Sequence, residues 1–239
     1  MTKFHPVNFL FSLGMVFSIV SGCAAQSSFV KHPQGNATQT SGSAVQQDEV
    51  NPAMQNPALA TEKAPEIFQV KFNTSKGDFT IEVTRAWSPN GADRFYNLVK
   101  IGYYKDVAIF RAINNFMFQF GIHGDPAVSA KWSEANINDD PMAGIPNTTG
   151  TICFAQSGMP NTRSTQMFIS LGDNSRLDAD HFTPFGKVVE GMDVVRKINT
   201  EYGENARDDQ GSFQSEGNNF IMKKYPNLDL IRGATLIEK

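Results

Sequence analysis

Alternation of hydrophobic and polar positions with a period of two marks two segments of this chain. Residues 68–73 and 78–83 both alternate and flank Ser75-Lys76-Gly77, so they predict a β-hairpin. Ser88 followed by Pro89 has the form of a helix start, a capping side chain and then a favourable first helical residue. Phe95, Leu98 and Val99 recur at helical spacing, and Gly102 predicts the stop. Further strands are predicted at 107–113, 116–120, 151–155, 166–171, about 182–189 and 230–237. A second short helix is predicted near 192–199, with Val194, Val195 and Ile198 on one side. Many short strands with two helices predict a mainly β fold, a closed antiparallel barrel with helices over its ends.

One segment breaks its apolar run with a cation. Residues 109–125 read IFRAINNFMFQFGIHGD, and Arg111 is the only charged side chain between Asp106 and His123. A guanidinium stays protonated in a protein, so its donors must find a use. Counting in twos puts Arg111 and Ile113 on one strand face. Asn114-Asn115 supplies a turn, because Asn tolerates left-handed backbone angles. Beyond it Met117 and Gln119 share a face, with Phe118 and Phe120 on the other. On pattern alone, the commoner use of such an arginine is to cap a strand end or pair with a surface carboxylate.

The remaining chemistry-bearing residues are few. Cys153 lies in the mostly apolar GTICFAQ and reads as a small buried hydrophobe. In 166–171, Gln166 and Phe168 share one face, Met167 and Ile169 the other. His123 and His181 lie near predicted loops and read as solvated rather than as proton carriers. Asp125, Asp178 and Asp180 have no metal-ligand spacing, and no phosphate-cradling glycine pattern or nucleophile elbow occurs. No cofactor is expected.

The string R-x-I-x-x-F-M-x-Q-x-G, carried by Arg111, Ile113, Phe116, Met117, Gln119 and Gly121, resembles the signature of the cyclophilins, which are peptidyl-prolyl cis-trans isomerases. Some bacterial members continue Q-F-G-I-x-G-D-P, as residues 119–126 do. Ala155 with its polar loop and then Gln166, Met167, Phe168 resembles a second family segment, and Arg176-Leu177-Asp178 with HFTPFG from His181 resembles a third. The resemblance implies an eight-stranded barrel over nearly all of 66–239. It also implies a groove bordered by Ala155, Gln156, Ser157, Gln166, Phe168, Leu177 and His181, with Phe116, Met117, Phe168 and Leu177 gripping a proline ring. Arg111 and Gln119 would be the catalytic pair and proline-containing polypeptides the substrate. Three departures stand out: Phe110 where the family usually has His, Asn114-Asn115 for a Pro-Gly turn, and Arg176 for the Trp associated with cyclosporin binding. A binding module that captures proline segments without relevant turnover is the alternative of a different class.

The ends and the composition add a location. Lys3, an apolar stretch over 7–20 and small residues after it have the layout of a secretory signal, expected over 1–22. Val20-Ser21-Gly22-Cys23 resembles a bacterial lipobox, with Cys23 lipidated and Ala24 implying outer-membrane sorting, so the protein is expected to face the periplasm. Ordinary cleavage near Ala25 is the alternative. From 23 to 65 the chain is mostly Gln, Ser, Ala, Asn, Pro and Thr and is expected to be a disordered tether. Residues 66–239 suffice for one well-cored domain, expected to be monomeric. A formal charge of −3 and the lack of basic runs argue against a nucleic-acid partner. The stretch 204–226, rich in Asp, Gln, Gly and Asn, matches no pattern, and the loop 127–146 is expected to select the residue before proline.

Overall fold

The computed structural model describes residues 50–238. Alternation does what it predicts in β1 (Ile67–Thr74) and β2 (Gly77–Thr84), which pair residue for residue around a turn closed at Gly77, φ +122°. Phe68, Val70 and Phe72 point inward with Phe79, Ile81 and Val83, and the Phe72 and Phe79 rings stack at 5.0 Å. Against them lies α1 (Pro89–Lys100), which buries Phe95, Leu98 and Val99. Each such side chain taken from water contributes roughly 1.5–3 kcal/mol. Ser88 precedes Pro89, but its side chain does not cap the helix. The buried carboxylate of Asp140 does so, accepting from Asn90 N at 2.8 Å and Gly91 N at 3.0 Å while Ser88 Oγ also donates to it.

The other strands are β3 (Val107–Ala108), β4 (Arg111–Ile113), β5 (Met117–Phe120), β6 (Thr151–Phe154), β7 (Met167–Ser170), β8 (Gly186–Glu190) and β9 (Leu230–Ile237). With β1 and β2 they form one nine-stranded sheet, its strand pairs antiparallel, in the order β3-β9-β1-β2-β8-β6-β7-β5-β4. The expected closed eight-stranded barrel is therefore corrected to a curled half-barrel of nine strands. The reason lies in the run 107–113, which supplies both edges of the sheet. Val107 and Ile109 enter the main core while Ala108 and Phe110 face a second cluster, and the pairing partner changes along the run, β9 for β3 and β5 for β4. Residues 182–185 do not join β8; Pro184 has no amide hydrogen for a ladder.

Five α-helices occur among the described residues, rather than two. The predicted 127–146 loop opens with α2 (Pro126–Ser133), capped by Asp125 and carrying the fully buried Trp132. α3 (Met192–Val195) is shorter than predicted, since Asn199 N is drawn to Asp229 Oδ2 at 2.6 Å. The 204–226 stretch forms a 3-10 turn (Asn205–Asp209), α4 (Gln210–Glu216) and α5 (Asn218–Lys224). Gly217 joins the two helices at φ +63°, where a Cβ would collide with the carbonyl oxygen of Gly124.

Cys23 and the signal segment lie outside the described residues. Residues 50–65, assigned above to a disordered tether, instead pack on the domain. Met54 and Ala64 are buried, Trp132 Nε1 donates to Met54 O at 3.1 Å, and Asn97 exchanges hydrogen bonds with the backbone of Glu62. A polar composition hid a few apolar anchors and backbone groups that find partners on α1.

Candidate active site

Arg111 and Gln119 stand directly opposite one another in the β4–β5 pair. Arg111 Nη1 donates to Gln119 Oε1 at 3.2 Å, and Gln119 Nε2 donates to Gln166 Oε1 at 2.9 Å. Three polar side chains thus form a line across one wall. The turn that places them has Asn115 at φ +59°, the left-handed angle expected of an Asn. It leaves Phe116 half-buried, fixed through its carbonyl by Leu171 N at 2.8 Å and Asn174 Nδ2 at 2.7 Å.

The floor is apolar. Met117, Cys153 and Phe168 are buried there, with Ile113, Phe116, Leu177 and Phe182 packed around them. The facing of these strands follows their alternation: Phe118, Phe120, Met167 and Ile169 all belong to the main core instead. Phe168 and Phe182 meet edge to face at 5.5 Å. Leu177 comes from a 3-10 turn (Ser175–Asp180) whose Asp178 accepts from Asn147 N and Nδ2, so that carboxylate is committed to holding the backbone. The resulting groove has a volume of about 540 Å³ and is lined by Arg111, Phe116, Met117, Gln119, Ala155, Gln156, Ser157, Gln166, Phe168 and Leu177.

His181 is the expected groove residue that does not line it. It is exposed at φ +61° and faces a neighbouring cavity shared with Gln156 and Phe182. His123, read above as solvated, is buried against Tyr103 at a ring distance of 5.0 Å, and its Nδ1 accepts from Asp125 N at 2.9 Å. Burial holds its imidazole below the ordinary value. Cys153 is fully buried, with Sγ donating to Asn147 Oδ1 at 2.9 Å, and burial, reinforced by Asp178, pushes its thiol well up. It is a floor atom rather than a nucleophile. Arg176 lays its guanidinium 4.6 Å from the Phe116 ring centroid.

Sequence reasoning missed what closes the groove from outside. Ser133, Thr162, Ser164 and Phe182 line it, as do Arg207, Gln210 and Gln214 from the 204–226 stretch. Glu204 grips Arg111 directly, Oε2 accepting from Nε at 2.8 Å and Oε1 from Nη2 at 2.5 Å. Hydrogen bonding to Arg111 holds the Glu204 carboxyl below the usual carboxylate range, and Arg207 adds to this from 3.6 Å. Arg111 therefore does both things considered for it: it lines a groove and pairs with a carboxylate. No local pattern could have announced a partner 93 positions away.

A family model described as cyclophilin type peptidyl-prolyl cis-trans isomerase/CLD matches residues 69–215. A peptidyl-prolyl cis-trans isomerase of Acinetobacter baylyi is 35% identical over 133 residues, covering 54% of this chain and 70% of the relative. Peptidyl-prolyl cis-trans isomerase B of Escherichia coli is 32% identical over 136 residues, covering 54% and 82%. Among solved structures, a cyclophilin type peptidyl-prolyl cis-trans isomerase of Cryptosporidium parvum aligns with a TM-score of 0.54 at 20% identity, over 72% of this chain and 99% of that one. The same parasite protein has been solved in the presence of the dipeptide Ala-Pro, with a TM-score of 0.53 to this chain.

Proposed function

This chain belongs to the cyclophilin-type peptidyl-prolyl cis-trans isomerases, and on that premise we propose that Arg111 and the apolar floor beside it rotate X-Pro bonds of polypeptides in the cell envelope. The activity is that of the family. The residue roles and the envelope setting are the proposal.

The chemistry demands little machinery. Amide conjugation sets a rotational barrier of about 18–20 kcal/mol. At X-Pro bonds both isomers are accessible, and uncatalysed exchange takes about 10–100 s. No bond breaks, so neither nucleophile nor metal is needed. The enzyme has to hold the ring and favour the twisted state in which the nitrogen lone pair is released from the carbonyl. Phe116, Met117, Phe168 and Leu177 offer an apolar seat for a pyrrolidine ring. Arg111 offers donors to the substrate carbonyl and to the prolyl nitrogen, whose lone pair accepts only as the bond twists. A contact stronger in the transition state than in the ground state is what accelerates a reaction. A 10⁴-fold gain corresponds to about 5.5 kcal/mol. Gln119 orients the guanidinium, and Ala155, Gln156, Ser157 and Gln166 present polar groups to the substrate backbone.

The observation that carries the reading is the juxtaposition of Arg111, held by Gln119, with the buried floor of Met117 and Phe168 in one groove. Exchange spectroscopy on a short proline peptide tests it. The wild-type chain is expected to speed interconversion catalytically, and unchanged exchange rates at micromolar enzyme would refute it.

The envelope setting rests on the pattern of residues 1–24: a positive start, an apolar stretch and Val20-Ser21-Gly22-Cys23. Mass spectrometry of the mature amino terminus from a bacterial host is expected to find a lipidated Cys23. An unmodified start at Ala24 or later would end the anchor hypothesis.

A further inference from the structure

The stretch 204–226 is the outer wall of the groove. Arg111 sits on β4, a three-residue strand at one end of the sheet order, hydrogen-bonded on one side only, to β5. A long, rotamer-rich side chain on such an edge is poorly fixed by its own strand. Here the residue before the Asn205–Asp209 turn, Glu204, takes Nε and Nη2 of the guanidinium while Gln119 takes Nη1. A guanidinium carries five N–H donors in a rigid plane. Three are engaged, which leaves two for a substrate.

The turn that presents Glu204 is anchored. Ala206 is fully buried in a cluster with Phe110, Phe213, Ile221 and Tyr225, and the Phe110 and Phe213 rings lie 5.8 Å apart. Tyr225 Oη donates to Asp209 Oδ2 at 2.5 Å, which ties the end of the turn to α5. Phe110, the residue that departs from the family's His, thus docks the 204–226 stretch immediately beside Arg111.

Building on the isomerase reading above, the geometry points to Glu204 as a positioning residue: its carboxylate and Gln119 clamp the Arg111 guanidinium from two edges and hold its free donors at the groove wall. Ordering a catalytic group before substrate arrives removes that ordering cost from the barrier. A carboxylate that instead blocked Arg111 would have the opposite kinetic signature.

The test is a kinetic cycle on the full chain with a proline peptide, comparing wild type, Glu204→Ala, Arg111→Ala and the double variant, with thermal melts alongside. Glu204→Ala is expected to lower kcat about tenfold with KM changed less than twofold, and to add nothing once Arg111 is alanine. Glu204→Gln, which keeps the volume and one acceptor oxygen, is expected to lie between and serves where the alanine variant melts early. A kcat within twofold of wild type, a fall in KM with a rise in kcat/KM, or a loss that persists without Arg111 would overturn the inference while leaving the isomerase reading intact. Wild-type turnover that survives Arg111→Ala unchanged would overturn that reading, and this inference with it.

Discussion

Gln119 faces Arg111 across the β4–β5 ladder and links it, at 3.2 Å, to Gln166 on the far side. Gln119 is itself buried, so its amide cannot exchange these partners for water at no cost. Gln119→Leu is expected to lower kcat/KM by about tenfold, or roughly 1.4 kcal/mol, with the loss mainly in kcat. Steady-state kinetics on a proline peptide checks this, and a change confined to KM would place Gln119 in substrate binding alone.

Asp140 carries a structural role far larger than its place in a polar loop suggests. Its buried carboxylate accepts from Ser88 Oγ, from two amides at the start of α1 and from Arg163 Nη2 at 3.0 Å. Arg163 is buried too, and Asp139 reaches it only from a more exposed position, at 3.3 Å. Asp140→Ala leaves a buried cation short of its main partner and uncaps the helix, which is expected to cost about 3–5 kcal/mol. Urea titration measures it; a loss below about 1 kcal/mol would show the pair to be solvated.

Acid should weaken the fold through His123 before the carboxylates titrate. Burial lowers its folded-state value, so near neutrality the imidazole is neutral in both states. As pH falls below about 6.5 the unfolded chain binds a proton that the folded chain resists, and stability declines. Unfolding free energies at pH 7.5 and 5.5 should differ for wild type and differ less for His123→Gln, which retains an acceptor for Asp125 N. Equal pH dependence in the two proteins would contradict this.

The groove was legible where two-residue alternation governs it. Met117 and Gln119 against Phe118 and Phe120, and Gln166 and Phe168 against Met167 and Ile169, separate floor from core as the pleat requires. The positions that misled are those settled by distant partners. His123 reads as a loop histidine until Tyr103 covers it, and Trp132 as a loop aromatic until the backbone of Met54 accepts its N–H. Glu204 is one acid among several in a featureless stretch until the packing of Ala206 and Phe110 brings it to Arg111. Sheet closure failed for a related reason, because the run 107–113 divides its pairing between β9 and β5, distant partners no periodicity could foretell.

The central claim is that a fixed guanidinium beside an apolar floor carries the isomerisation, and the direct measurement is kcat/KM for Arg111→Ala and Arg111→Lys in the full chain. Both variants are expected to lose at least about a hundredfold, roughly 2.7 kcal/mol, because a lysine keeps the charge but not the planar fork. An alanine variant within about threefold of wild type, about 0.65 kcal/mol, with its fold intact would contradict the account.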